Sequence, residues 1–111
     1  MNLNHLHLHV RNLTKSRRFY ETYFGFREHA RHGRILFLRN RRGFSLALAP
    51  AAKVERFPAW FHYGFRLPSA SAVRRLHGRL GRAAGPLGDE AGYVWFRCTD
   101  PDGYAIEVYW E

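Results

Sequence analysis

Histidine and aliphatic residues alternate in the segment Asn4-His5-Leu6-His7-Leu8-His9-Val10, from which the fold can be inferred. Successive side chains of a β-strand point to opposite faces, so a strand here separates the aliphatic residues from the histidines. We therefore predict a first strand with one face packed against a core and three imidazoles on the other. Imidazoles titrate near neutral pH and bind metal ions well, which makes this face a candidate site. The alternative is a polar strand face that is only exposed to solvent.

Length and composition indicate one compact domain, residues 1–111. Hydrophobic residues make up 46% of the chain and aromatic residues 16%, which argues against disorder. No apolar run approaches the roughly 20 residues of a membrane span, and the polar N-terminus lacks the layout of a signal peptide, so we expect a cytoplasmic protein without membrane association. The single cysteine, Cys98, forms no disulfide within the chain and suits a reducing compartment.

The formal net charge of +9 raises the question of nucleic-acid binding. Nearly all of the positive charge is arginine, and it is scattered through the predicted helices, strands and turns. No zinc-finger spacing or ribonucleoprotein motif accompanies it. We therefore interpret most of this charge as solvated surface that also steers anions, and we do not expect specific nucleic-acid binding.

The first half of the chain predicts one strand, one helix and three further strands. Asn12 is a candidate N-cap for a helix that ends at Phe24, and Gly25 then closes it. The aromatic residues of this helix recur at helical spacing, so we expect them in the core. The three strands are predicted near residues 26–30, 34–39 and 44–49, which defines a first module over residues 1–50. Residues 50–58 form a linker bracketed by prolines.

The second half, residues 58–111, predicts the same order of elements. A strand over 60–67 precedes a helix capped by Ser69 or Ser71, with Val73, Leu76 and Leu80 directed inward. A glycine-rich passage over 81–88 leaves room for a short edge strand. Two strands, over 93–98 and 104–110, flank the tight turn of residues 100–103.

Aligning the halves reveals an internal repeat. The equivalent positions are His5 and His62, Phe19 and Leu76, Gly43-Phe44 and Gly103-Tyr104, and Ala47 and Glu107. Two copies are too few for a solenoid. We therefore predict an α+β fold in which two βαβββ modules pair around a pseudo-twofold axis and their curved, mixed sheets enclose a cleft.

These motifs together resemble the vicinal oxygen chelate superfamily, the glyoxalase, bleomycin-resistance and extradiol dioxygenase proteins. The motifs are the Asn4 to Val10 pattern, Phe19-Tyr20, Gly25-Phe26, His62-Tyr63-Gly64-Phe65 and Asp100-Pro101-Asp102-Gly103-Tyr104-x-Ile106-Glu107. The resemblance covers essentially the whole chain. It implies paired βαβββ modules, a homodimer and a divalent metal ion in the cleft.

The resemblance implies His5, His62 and Glu107 as the metal ligands. Glu107 lies between Ile106 and Val108, so the carboxylate faces away from the core on an alternating strand, where a metal ion offsets its desolvation. Two imidazoles and one carboxylate leave up to three open positions on an octahedral ion and suit Fe(II), Mn(II), Ni(II) or Zn(II). The alternative is an ancestral site kept as polar lining without a metal ion.

At several site positions this sequence differs from better-known members of the superfamily, which limits the activities that the resemblance implies. Ala47 stands where glyoxalase I has a fourth protein ligand. Arg97 stands where extradiol dioxygenases have a tyrosine, and residues 93–99 contain no histidine. Fosfomycin transferases share the ligand set and the turn of residues 100–103, whereas bleomycin-binding relatives normally lack the ligands.

The expected cleft lining suggests roles for further residues. His7 and His9 share the face of His5, and either is a candidate general acid or base. The candidate substrate-pocket residues are Gly64, Arg66, Trp95 and Tyr109, and the resemblance adds Arg97 as a candidate catalytic residue. An indole beside a guanidinium suits a small aromatic or conjugated anion. Plain core packing is the alternative for Trp95.

We therefore expect a metal-dependent enzyme whose small substrate chelates the ion through adjacent oxygens, that is, a dioxygenase, a lyase or a transferase. The alternative is a bleomycin-resistance-like protein that binds a small molecule without a metal ion and without turnover. The sequence leaves open whether the modules pair within one chain or are exchanged between two.

Overall fold

The computed structural model describes residues 1–111 as two compact units, Met1–Arg56 and Phe57–Glu111. Each unit has one four-stranded mixed sheet and one α-helix. The α+β fold class with two βαβββ modules is confirmed. None of the helices is long and apolar enough to cross a membrane.

The first unit contains strand, helix and three strands in that order. The elements are β1 (His5–Val10), α1 (Leu13–Phe24), β2 (Arg27–His32), β3 (Ile35–Arg39) and β4 (Ser45–Pro50). The sheet order is β1-β4-β3-β2, with β1 parallel to β4 and the other neighbours antiparallel. The last strand of the unit therefore lies beside the first.

The second unit repeats this topology. Its elements are β5 (Tyr63–Arg66), α2 (Ala70–Leu80), β6 (Gly88–Glu90), β7 (Tyr93–Thr99) and β8 (Ala105–Trp110), with a single 3₁₀ turn at Gly81–Ala83. The sheet order is β5-β8-β7-β6, and β5 runs parallel to β8. The glycine-rich passage leads into the edge strand β6, which comes slightly later than expected.

The helix ends follow the predicted capping residues. The side chain of Asn12 accepts a hydrogen bond from the Lys15 N–H at 3.0 Å, and Ser69 accepts one from the Ala72 N–H at 3.1 Å. Gly25 ends α1 with φ of +71°, a conformation that glycine adopts without steric strain.

Each helix covers one face of the sheet in its own unit. In the second unit, the side chains of Val73, Leu76 and Leu80 are buried, as are Phe96 and Ile106 of the strands. In α1 only Ser16 and Tyr20 are fully buried, so the predicted aromatic stripe is half-buried at its other positions. We call the opposite side of each sheet its open face. In the first unit the alternation of β1 puts all three histidines there, exposed, while Leu8 and Val10 are buried.

Strand register confirms the internal repeat. His7 pairs with Ala47 in the first unit, and Gly64 pairs with Glu107 in the second. The tight turns also match, because Asn40 and Asp100 each accept two backbone N–H groups through the same side-chain oxygen. Ala47 and Glu107 are therefore structurally equivalent positions.

The fifth strand differs from its prediction. It was expected over residues 60–67 with His62 inside it, but β5 begins at Tyr63. The Phe61 N–H donates to the Pro58 carbonyl at 2.9 Å, so the preceding segment turns instead of extending along β8. His62 consequently lies between a turn and a strand.

Candidate metal centre

Glu107 occupies the middle of β8 with its side chain on the open face of the second sheet. Its neighbours Ile106 and Val108 are fully buried under α2, whereas the Glu107 side chain is 21% exposed. One carboxylate oxygen, Oε1, accepts a hydrogen bond from the Tyr93 hydroxyl at 3.2 Å. The other, Oε2, lies 3.0 Å from Nε2 of His62. The two oxygens therefore have different partners.

The orientation of the His62 ring is set by the backbone before it. Nδ1 lies 3.1 Å from the carbonyl oxygen of Trp60. Because a carbonyl oxygen only accepts, Nδ1 must carry the proton of this hydrogen bond, and a neutral imidazole then has its lone pair at Nε2. The turn at Pro58 thus selects which ring nitrogen faces Glu107.

The contact between Nε2 and Oε2 brings two potential lone pairs together. At 3.0 Å they repel unless a proton or a cation lies between them. Two ligands that bind one divalent ion at about 2.1 Å and at right angles to each other are separated by about 3 Å. A histidine whose other ring nitrogen donates to a carbonyl is also the usual arrangement at metal centres. The donors His62 and Glu107 therefore fit two adjacent positions on a divalent ion.

Tyr93 is a member of this site that the sequence interpretation missed. Burial and, next, the hydrogen bond to Glu107 raise the pKa of its hydroxyl, so the phenol is the donor at neutral pH. Its ring stacks on Trp95, with centroids 6.4 Å apart and an interplanar angle of 22°. The alternation of β7, which puts Tyr93, Trp95 and Arg97 on one face, was the available signal.

An open depression of about 490 Å³ surrounds these residues. Its lining residues all belong to the second unit and are His62, Gly64, Tyr93, Glu107, Tyr109 and Glu111. Of the four predicted pocket residues, Gly64 and Tyr109 therefore line it. Tyrosine rings and carboxylates together give it a wall that is part aromatic and part acidic.

Three other predicted residues lie outside the lining of this depression. The guanidinium of Arg66 donates to the backbone carbonyl of Glu111 at 2.5 Å. Arg97 is exposed and pairs in register with Glu107, which places it on the same open face. The Trp95 side chain is half-buried on this face, away from the core under α2. The alternative of core packing under α2 therefore does not hold for Trp95.

The remaining predicted site residues lie on the open face of the first sheet. Nδ1 of His5 lies 2.8 Å from the side-chain oxygen of Asn4. The rings of His7 and His9 meet edge to face with centroids 5.6 Å apart, and Nδ1 of His9 lies 3.5 Å from Glu55. The chain contains no group of three histidine, cysteine, aspartate or glutamate side chains close enough to hold a metal ion. The structure thus brings His62 and Glu107 together, and His5 belongs to the other unit.

Charge is divided unequally between the units. The first unit contains 12 of the 18 lysines and arginines but only three of the nine acidic residues, and the second contains six of each. The formal charge of +9 therefore belongs to the first unit, and the second is neutral. Such an asymmetry raises the local concentration of small anions near the first unit.

The sequence of the chain matches one family model. The Glyoxalase/Bleomycin resistance protein/Dioxygenase superfamily model covers residues 2–108. The chain belongs to this superfamily. Its members typically use a divalent metal ion, in agreement with the donor set of His62 and Glu107. Membership supports a function of the vicinal oxygen chelate type.

Solved structures of the superfamily share this fold. A possible glyoxalase from Bacillus cereus is 32% identical, with 97% of each chain covered and a TM-score of 0.83. The fosfomycin resistance protein FosX from Listeria monocytogenes is 18% identical, with 100% of this chain and 93% of that chain covered and a TM-score of 0.85. A glyoxalase/dioxygenase from Nostoc punctiforme is 19% identical, with 99% and 90% covered and a TM-score of 0.81. The search of curated proteins found no match.

Proposed function

We propose that this superfamily member is a divalent-metal-dependent enzyme that acts on a small substrate with two adjacent oxygen donors. The observation that carries the proposal is the 3.0 Å approach of Nε2 of His62 to Oε2 of Glu107, with the other ring nitrogen held by a carbonyl. Packing of apolar side chains would not require these two polar atoms to approach each other. A metal ion between Nε2 and Oε2 accounts for this approach, and a proton on Nε2, which would give an imidazolium–carboxylate pair, is the alternative that metal analysis excludes or supports.

The proposed ligands are His62, Glu107 and His5, the last from the first unit of the same chain or of a second copy in a homodimer. A divalent ion bound by them, Fe(II), Mn(II), Ni(II) or Zn(II), supplies Lewis acidity to the substrate oxygens. Two nitrogens and one oxygen leave positions open for both substrate oxygens. Ala47 provides no fourth ligand, so the site remains more open than that of glyoxalase I.

The chain's own residues then bind and orient the substrate. Tyr109 and Tyr93 provide aromatic walls, and Gly64 keeps the floor of the depression clear of a side chain. Arg66 and Arg97 are the proposed cations for a negatively charged substrate group. The net charge of +9 favours an anion as substrate, and the tyrosine rings favour an aromatic or conjugated one. His7 or His9 is the proposed proton donor or acceptor. We propose a cytoplasmic location, consistent with the unpaired Cys98.

Metal analysis of protein purified without chelators tests the proposal. We expect about one equivalent of metal in the unaltered protein and a large loss in His62→Ala and Glu107→Ala. Glu111→Gln is the matched control, since this residue lines the same depression and makes no ion pair or hydrogen bond with His62. Equal metal content in all four proteins would refute the metal site.

The source of the third ligand can be decided by mixing variants. Co-expression of His5→Ala and Glu107→Ala chains restores one intact site per heterodimer if the modules are exchanged, because one site then receives both intact residues. It restores none if each site is built from one chain. Metal bound per isolated heterodimer therefore distinguishes the two arrangements.

The competing function is binding of a small molecule without a metal ion or turnover, as in a bleomycin-resistance-like protein. The stacked Tyr93 and Trp95 rings are the observation that favours it, because they offer a flat apolar surface. Calorimetry with small aromatic anions before and after chelator treatment separates the two. Affinity that persists without metal favours this second function.

A further inference from the structure

We propose that Tyr93 is a positioning residue that makes Glu107 a one-oxygen ligand. Through its hydroxyl it holds Oε1 of the carboxylate, so that Oε2 alone is presented to the metal ion. This inference rests on the proposed function, because it concerns the same ion. It assigns a role to a residue that is neither a ligand nor a predicted part of the pocket.

The first step of the argument is the division of the carboxylate between two partners. Tyr93 donates to Oε1 at 3.2 Å, whereas Oε2 lies 3.0 Å from Nε2 of His62. An oxygen that already accepts a hydrogen bond has one lone-pair direction occupied and its carboxylate plane fixed. The free rotation by which a glutamate changes from one-oxygen to two-oxygen binding is therefore opposed.

The second step is that Tyr93 must reach Glu107 from a distant position in the register. The residue opposite Glu107 on β7 is Arg97, four residues further along than Tyr93. Four residues correspond to about 13 Å along a strand, so the two long side chains must lean toward each other across the open face. At this distance the contact needs a long side chain with a hydrogen-bond donor at its tip. Tyrosine has that donor, whereas phenylalanine has the same ring without it.

The third step is that the Tyr93 ring is itself supported. It stacks on Trp95, and the Trp95 indole crosses the edge strand at Gly88, its register partner. Any side chain at Gly88 would meet the indole, since a Cβ there would lie 2.2 Å from Nε1 of Trp95. The chain of contacts thus runs from Gly88 through Trp95 and Tyr93 to Oε1 of Glu107.

The experiment is a calorimetric titration of the metal-free protein with Mn(II), comparing the unaltered chain with Tyr93→Phe. Phenylalanine keeps the ring and its stack but removes the donor. Loss of a hydrogen-bonded partner of a metal ligand typically weakens binding about 10- to 100-fold, so we expect the Mn(II) dissociation constant to rise at least about tenfold. Tyr109→Phe is the matched control. It removes another phenol from the same depression, one that makes no hydrogen bond to Glu107, and its Mn(II) affinity is expected to equal that of the unaltered protein.

A spectroscopic readout separates positioning from mere structural support. Co(II) loaded in place of Mn(II) reports its coordination number through the intensity of its visible absorption. We expect weaker absorption in Tyr93→Phe, because the released carboxylate can bind through both oxygens and raise the coordination number. An unchanged Co(II) spectrum would overturn the inference, and so would an unchanged Mn(II) affinity.

The outcomes distinguish this inference from the proposed function. An unaltered protein that binds no metal refutes the function itself, whereas tight binding by both the unaltered and Tyr93→Phe proteins refutes only the role of Tyr93. If Tyr93→Phe loses its far-ultraviolet circular dichroism, Gly88→Ala decides, because it displaces the supporting indole while the phenol remains. Full Mn(II) affinity in a folded Gly88→Ala protein then counts against the inference.

Discussion

Two glycine-to-alanine substitutions in the second unit should change its stability in opposite directions. At Gly88 a Cβ would lie 2.2, 2.7 and 2.8 Å from three atoms of the Trp95 indole, all closer than real Cβ atoms approach. The indole must move by about 1 Å or more to restore contact distances near 3.5 Å. Overpacking of this kind costs about 1 to 3 kcal/mol, which is the expected loss in the free energy of unfolding for Gly88→Ala.

Gly78→Ala is the matched comparison. Gly78 lies within α2, and a Cβ there meets nothing within 4 Å. Alanine restricts the unfolded chain and favours the helix, so this variant is expected to gain about 0.5 to 1 kcal/mol. The same chemical change therefore has opposite signs because only one of the two sites has room for a methyl group.

Urea unfolding followed by tryptophan fluorescence measures both effects. The three tryptophans, Trp60, Trp95 and Trp110, all belong to the second unit, so the signal reports that unit. We expect the midpoint to fall for Gly88→Ala and to rise for Gly78→Ala, with unchanged slopes. If Gly88→Ala is as stable as the unaltered protein or more so, the indole does not lie over the edge strand as described, and the support proposed for Tyr93 fails with it.

Three further predictions concern the second unit. Asp100→Ala should lower the free energy of unfolding by about 2 to 4 kcal/mol, because the buried carboxylate accepts two backbone N–H groups, one from Tyr104. Asp100→Asn keeps an accepting oxygen and should retain most of the stability. Equal losses for the two variants in urea titrations would contradict this. The Arg74 guanidinium lowers the pKa of Asp89, so the stabilisation by this pair is present at neutral pH and is lost as the pH falls below the ordinary value of 3.8. The difference in midpoint between the unaltered protein and Arg74→Gln should accordingly vanish in acid, and a constant difference would argue against the ion pair. Burial raises the pKa of Cys98 to about 11, so a disulfide reagent at pH 8 should label it only after unfolding in urea, and rapid labelling of the folded protein would show that the thiol is accessible.

Much of the fold was predictable from local patterns. The alternation of β1, the caps Asn12 and Ser69, and the glycine at the end of α1 act over a few residues, and each was confirmed in the structure. The repeat register was also predictable, because equivalent turns at Asn40 and Asp100 fix the same strand offset in both halves. Short-range hydrogen bonds and strand alternation suffice for these features.

The predictions were less accurate for features that depend on contacts between different strands and turns. The turn at Pro58 shortened the predicted fifth strand and gave His62 its ring orientation through a backbone carbonyl, which no side-chain pattern reveals. Tyr93 was missed for a related reason, since the contact with Glu107 spans four positions of strand register. Both features depend on the orientation of side chains in the folded protein, which cannot be read from the sequence.

Sequence patterns were enough to predict that the chain forms two βαβββ modules and that the β1 histidines and the Glu107 carboxylate lie on faces away from the cores. They also indicated the glyoxalase-type superfamily. The folded structure was needed to find that Nε2 of His62 meets Oε2 of Glu107 while Tyr93 holds the other oxygen. This difference arises because alternation fixes the face on which a side chain lies, within one strand. Distances between donors from different strands depend on turns, stacking and register, which are set only when the whole sheet has packed.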